Sequence, residues 1–476
     1  MDRTANHTES LPGLIRGLGL WAATAIVIGS MIGQSVFLVA SDMSREVGSA
    51  GRVLAVWIIG GAVVLFGALC YAELGAAMPE AGGDYVYLRR GLSPVWGFLY
   101  GWTSAIIMRP ASSAVIASGL MRFVAFLLPS TASPLWTWNL RFSFRASPYQ
   151  ITFTAAQLWA AAAIVLVTAM NYLGVRTAGR FQVFLTVLKV ATVAAILILA
   201  LTVKSPTRAD SAFTSSTSHG ILGPFLTALV PAMLAYNGFQ FLGAVGAEVR
   251  NPGKIFPWAL IVGTAAVAAL YALLNWVYFY MMGFSQVATS QHVASAVMAR
   301  LVGDTGAKWF TLAMIVSAFG SLHANSLTAP RVPYAMAVDG SFFAFAKRIQ
   351  PRFHTPSGAL IFQGCVAVLL VLTGTYQELY SYDIFATWIF LALTGVALIR
   401  LRIIYAELPR PFRVWGYPFT PAIFGTVALA IAANLWLQRP VRSSVGIVII
   451  LLGLPFFYRW RSRTSAAFPT GKASPR

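Results

Sequence analysis

Two apolar stretches of this chain are interrupted in a way that would free backbone groups for chemistry. The first reads AIVIGSMIGQSVFLVA, with Gly29, Gly33, Gln34 and Ser35 near its middle. The second reads LVPAMLAYNGFQFLGAVGAEV, with Pro231, Asn237 and Gly238 near its middle. A helix broken at such a point exposes N–H groups at the start of its second half, which attract an anion. It also exposes carbonyls at the end of its first half, which attract a cation. The competing reading is that Gly29 and Gly33 serve only close helix packing, and the residues alone leave both open. Lys189 lies in a third apolar run, some 10 Å from its end at about 1.5 Å per residue. It is either a snorkelling side chain or a buried, fixed cation. His323 lies in a fourth run and reads first as a hydrogen-bonded structural residue, second as a pathway residue. The apolar runs contain neither HExxH nor adjacent acidic pairs, so no enzyme, metal site or cofactor is expected.

The elements that must hold these residues are membrane spans. Of 476 residues, 58% are hydrophobic and 10% charged, against about 25% charged in a soluble domain. Apolar runs near the bilayer-spanning length recur along the whole chain. Twelve are expected, at 14–40, 50–78, 95–128, 151–172, 182–203, 223–246, 257–283, 307–330, 358–375, 379–401, 418–437 and 444–460. The two interrupted runs are the first and sixth. They correspond if two five-span repeats are followed by two further spans, and interrupted spans at matching positions point to a transporter binding site. The division expected is a tail over 1–13, repeats over 14–203 and 204–401, spans 11 and 12 with their connector over 402–460, and a tail over 461–476.

The net charge of +20 reads as orientation in a membrane and not as nucleic-acid binding. With both termini in the cytoplasm, the inside loops collect most of the loop Lys and Arg, among them Arg89, Arg90, Arg176, Arg180, Arg250, Lys254, Arg331 and Arg400. Glu73, Glu80 and Glu248 are expected to pair with arginines near the interface. Arg109, before Pro110, reads as a kink and a hydrogen-bond anchor in the third span. Cys70 and Cys365 fall in separate apolar runs and imply no disulfide framework.

Several of these stretches carry a family resemblance. VIGSMIGQSVF in the first span and GALCYAELGAAMPEAGGDYVYLRRGLSPVWGFLYGW, from Gly67 to Trp102, resemble the amino acid–polyamine–organocation superfamily. RPASSAVIA from Arg109, AYNGF with EVRNP in and after the sixth span, AFGSLHANSLTAPR in the eighth and LPRPFRVWGYP after the tenth resemble its L-type amino acid transporter branch. The resemblance implies an all-α, LeuT-type fold of two inverted five-helix repeats plus two helices. It implies exchange or proton-linked, sodium-independent movement of neutral L-amino acids across a bacterial inner membrane. The substrate would lie on Met31, Ile32, Gly33, Gln34 and Ser35 and on Leu234, Ala235, Tyr236, Asn237 and Gly238. Carbonyls near Met31, Leu234 and Asn237 would face its ammonium, and N–H groups near Gly33 to Ser35 its carboxylate. The resemblance also places Lys189, with Ser321 beside it, where a sodium ion would otherwise sit. Relatives that pair with a glycoprotein do so through a loop cysteine after the third span. Pro129 to Gln150 contains none, so a stand-alone monomer or weak homodimer is expected. A cationic amino acid or polyamine carrier and an amino acid sensor are the other readings. The first would want an acidic residue facing the pocket.

The chain departs from the family at the first break. Gly-Ser-Gly-Ile-Phe is the usual pattern, and Gly33-Gln34-Ser35-Val36-Phe37 stands here. The added Cβ atoms narrow the approach to the freed N–H groups, which points to small side chains on the substrate.

Overall fold

The computed structural model describes residues 14–33, 35–140, 149–202, 222–290, 293–373 and 376–464. The expected tail over 1–13, residues 465–476 of the tail expected over 461–476, the boundary at 203/204 and Gln34 lie outside them. Among the described residues, nine helices are apolar and long enough to cross a bilayer. Three shorter apolar helices, Leu20–Met31, Gly223–Ala235 and Ser357–Thr373, stand at the remaining expected positions. Two of these three are short because they are the broken ones. Large side chains such as Trp21, Trp159, Phe184, Leu201 and Trp309 point outward, which is stable only where the surrounding solvent is lipid.

The first span runs as Leu20–Met31, stops, resumes at Ser35–Leu38 and continues after Val39 as Ala40–Val47. The sixth runs Leu222–Ala235 and resumes at Phe241–Ala244. Such irregular backbone is tolerated at membrane depth only where protein covers it, and Met31, Ile32, Ala235, Tyr236 and Gly238 are all buried. The second and seventh spans, Ala50–Ala77 and Pro252–Met282, pack along one another and against the first. The third, Pro94–Leu127, contains one π-helical turn at Ser104–Met108 directly before Arg109 and Pro110.

Three features differ from expectation. The fifth span starts at Val175 and not near 182. Lys189 is therefore fourteen residues into its helix, about 21 Å along it. The eighth begins at Val293 and bends at Gly303, which has φ +73°. Before the fourth span, Pro134–Leu140 and Tyr149–Thr154 form an antiparallel hairpin in a chain expected to be all helix. Its strands, PLWTWNL and YQITFT, are rich in aromatic and β-branched residues, which favour pleated backbone.

The start of the first span and the end of the sixth are tied together. Leu18 N donates to Glu248 O and Arg250 N to Leu18 O, each at 2.9 Å. Glu248 is itself buried against Arg331, whose Nε donates to Oε1 at 2.7 Å and Nη2 to Oε2 at 3.1 Å. Glu73 meets Arg402 and Arg410, and Glu80 meets Arg90, so all three glutamates pair with arginine.

Candidate functional site

The break in the first span is held open by fixed partners. Ile32 N still reaches Ile28 O at 2.8 Å, and Gly33 N turns back to Met31 O at 2.7 Å. The two glycines do different work. A Cβ on Gly29 would fall 2.1 Å from Gln182 Nε2 and 2.7 Å from Thr186 Oγ1, so Gly29 permits close packing of the fifth span. A Cβ on Gly33 would meet nothing nearer than Ser321 Oγ at 3.8 Å. Packing therefore accounts for Gly29 but not for Gly33, which stands at the break itself.

Lys189 fills the space between the first, fifth and eighth spans. Its Nζ donates to Gly29 O at 2.9 Å and Ile32 O at 2.8 Å, and lies 2.6 Å from Ser321 Oγ. Ser321 Oγ is 2.9 Å from Ile32 O. At 2% exposure the ammonium is not snorkelling. It is enclosed by three oxygens that use all three of its N–H donors.

In the sixth span Gly238 adopts φ +132°, and a Cβ there would lie 2.7 Å from the backbone carbon of Ser30. The two breaks thus touch through a position only glycine can occupy. Gln240 stabilises the turn: its Oε1 accepts from Gly238 N at 3.0 Å and its Nε2 donates to Asn237 Oδ1 at 2.5 Å. Tyr236 is buried and donates to Trp57 O at 2.9 Å. Leu234 is half-buried and Ala235 buried.

One expectation needs correcting. Met31 O, expected to be open to a substrate ammonium, already accepts from Gly33 N and lies 2.7 Å from the Tyr271 hydroxyl. Both its lone pairs are engaged. Leu234 O likewise accepts from Asn237 N at 3.0 Å. The same hydroxyl lies 3.2 Å from Ala235 O, so its one proton can be given to a carbonyl of either break. An ammonium can enter there only by displacing it. Trp57, Tyr236 and Tyr271 form a mutual cluster with ring centroids 5.1–5.5 Å apart. Sequence reasoning missed Tyr271, since a tyrosine in an apolar run carries no special signal. Tyr271→Phe removes the hydroxyl while keeping the rings, so the apparent KM for substrate should change by about tenfold with kcat affected less, as one hydrogen bond to a desolvated group allows. Initial rates of radiolabelled uptake check this.

His323 faces the fifth span. Its Nδ1 is 2.8 Å from Gln182 Oε1 and its ring meets Phe181 edge-on at 5.3 Å, while Nε2 has no partner. Arg109 is anchored as expected: Nη2 donates to Thr328 Oγ1, and its carbonyl accepts from Asn325 Nδ2 at 3.1 Å. Among the described residues no group of three or more His, Cys, Asp or Glu could hold a metal ion.

A polytopic helical protein with two facing helix breaks and a buried cation bracing the first against the eighth span is built for solute movement. The pattern of the family described as "Amino acid permease" matches residues 18–457. The chain is 28% identical to the serine/threonine exchanger SteT of Bacillus subtilis, over 97% of this chain and 100% of that protein. It is 29% identical to the mouse b(0,+)-type amino acid transporter 1, over 96% of this chain and 91% of that protein. It is 30% identical to the human cystine/glutamate transporter, over 94% and 85%. The chain belongs to the amino acid permease family of the amino acid–polyamine–organocation superfamily. It is a multi-pass membrane transporter of amino acids and not an enzyme.

Proposed function

We propose that this protein moves small neutral L-amino acids by sodium-independent alternating access, as an exchanger or with a proton, in a bacterial inner membrane with both termini cytoplasmic. The observation that carries the sodium-independent reading is Lys189 Nζ, enclosed by Gly29 O, Ile32 O and Ser321 Oγ. A monovalent cation site among these oxygens is already filled by a covalently held cation. Neutral substrates are favoured because Asn237, an uncharged amide, stands at the sixth-span break. The substrate carboxylate would meet the first N–H groups of the second half of the first span, from Ser35 onward, since Gly33 N is turned to Met31 O. Relatives whose names specify serine and threonine, or cystine and glutamate, bracket a side chain of modest size. No disulfide-linked partner is proposed, because Pro129 to Gln150 contains no cysteine.

A cationic substrate finds some support in Asp84 and Asp383, carboxylates that line a cavity beside Gln240 and Phe241. Arg109 lines the same cavity, and its guanidinium would repel a cationic side chain.

The test is uptake into liposomes loaded with one amino acid at a time, with and without sodium. Saturable alanine or serine uptake that ignores sodium is expected, and uptake requiring a sodium gradient would end the proposal. Gln34→Ser with Ser35→Gly restores the family's pattern at the break. Leucine and phenylalanine should then compete with labelled alanine at least about tenfold better, the scale of one or two methylenes in a pocket. Unchanged competition would place the size filter elsewhere, at Leu234 and the walls of the third and eighth spans.

A further inference from the structure

A second buried polar cluster lies next to the break in the sixth span and shares Gln240 with it. A cavity between the second, third, sixth and tenth spans is lined by Tyr71, Asp84, Tyr100, Arg109, Gln240 and Asp383, among others. It has room for about one water. Arg109 and Asp84 are 4% exposed and Asp383 is 9% exposed.

The charges in this cavity do not balance. Elsewhere the buried carboxylates have cations: Glu73 has Arg402 and Arg410, and Glu248 has Arg331. Half-buried Asp339 has Arg89. Among the described residues, Asp84 and Asp383 have no cationic nitrogen within 4.0 Å, although both lie within electrostatic reach of Arg109. One guanidinium against two carboxylates leaves one negative charge in a dry interior, which costs roughly several kcal/mol. One bound proton removes it.

Hydrogen bonding selects the carboxylate that holds the proton. Asp84 accepts from Tyr71 Oη and from Thr394 Oγ1 at 2.8 Å. It also sits in the first turn of the helix Asp84–Gly91, where backbone N–H groups favour an anion. Asp383 has Thr387 Oγ1 at 3.3 Å and Ser112 beside it, and it lies beyond the first turn of Tyr376–Ile404. Asp84, with the stronger hydrogen-bond donors, stays the anion, and Asp383 is left to be neutral. The ionisable groups facing the cavity are Tyr71 from the second span, Tyr100 and Arg109 from the third and Asp84 from the loop helix. The eleventh span, Phe419–Gln438, carries none, and the following helix carries Arg442, partly exposed.

Arg109 Nη1 is buried without a partner. A metal cation in the cavity would face that N–H, whereas a water can accept from it and donate to a carboxylate. The cluster also touches the break in the sixth span. The Arg109 guanidinium carbon stands 3.4 Å from the centroid of the Phe241 ring, and Gln240 holds the turn at Asn237 and Gly238. Any rearrangement of that break would change what Arg109 can reach.

We propose that Asp383 carries a transport-linked proton, taken up and released through water held at Arg109, and so makes this carrier a proton-coupled one. This deepens the transport reading and rests on it, and two readouts separate the two. The first is the infrared difference spectrum of purified wild type against Asp383→Asn near neutral pH. A protonated-carboxyl stretch present in wild type and missing in the variant is expected, and its absence from wild type overturns the proposal whatever the protein transports. If the Asn variant does not fold, Asp383→Glu makes the comparison, with the band shifted and not lost. The second is alanine accumulation in liposomes. Wild type should approach about tenfold accumulation for one proton across a one-unit pH difference. Asp383→Asn should keep exchange yet lose accumulation. Accumulation retained in that variant, driven by sodium instead of pH, or absent from an exchanging wild type overturns the coupling. A wild type that moves no amino acid counts against the transport reading, and the infrared result then decides the proton alone.

Discussion

Lys189→Ala should lower the initial rate of amino acid uptake about 100-fold while the protein still reaches the membrane. The substitution removes a buried ammonium and leaves Gly29 O, Ile32 O and Ser321 Oγ without the donor they share. Each buried polar group stripped of its partner costs roughly 1–3 kcal/mol, and about 2.7 kcal/mol applied to the transport barrier gives that factor. The loss falls on transport because the carbonyls belong to the last turn of the first half of the first span and to the break, and Ser321 belongs to the eighth. Lys189 sets how those spans meet, so its loss misplaces Gly33 and Ser35 without unfolding the bundle. The vacated space is bounded by three oxygens, so added sodium should restore part of the rate in the alanine variant and none in wild type. Wild-type rates in the variant would show that the ammonium only fills space.

Gly238→Ala should abolish transport and lower the melting temperature in detergent. At φ +132° a Cβ is strained in any surroundings. Here it would also press on the backbone of Ser30 at 2.7–2.8 Å, and a backbone cannot swing aside as a side chain can. The combined cost is about 3 kcal/mol or more, the range of a residue forced into forbidden backbone against a fixed neighbour. The two broken helices would be pushed apart at the point where they touch. Gly33→Ala is the control. Its Cβ meets Ser321 Oγ at an ordinary 3.8 Å, so it should melt close to wild type. Fluorescence-detected size-exclusion after heating compares all three. Equal melting of Gly238→Ala and wild type would mean that the breaks are not in contact.

The breaks at 29–35 and 231–238 were legible because Gly, Pro and polar residues are conspicuous in a run otherwise apolar enough to span lipid. The burial of Lys189 was legible only through the family resemblance, since the residues alone left a snorkelling side chain open. The fifth span begins at Val175, earlier than its polar start VRTAGRFQ suggests, because that segment packs as helix. Asp383 carried a signal that could have been read, since an acid in a membrane span is a functional candidate by default. Tyr271 carried none, because its role depends on carbonyls that come together only in three dimensions.

Sequence by itself determined that the chain lives in lipid, where its spans fall, which two of them break, and which family it resembles. Each of these depends on composition and on order along one segment, and a 20-residue apolar run has few alternatives in a bilayer. Only the tertiary structure decided what meets across segments. It gave Lys189 its three oxygen partners, set the Tyr271 hydroxyl against carbonyls of both breaks, separated the packing role of Gly29 from the break at Gly33, and left Asp84 and Asp383 to share one guanidinium. Those pairings join residues tens to hundreds of positions apart, and the close packing and charge balance that fix them are properties of the folded interior, not of any single stretch of chain.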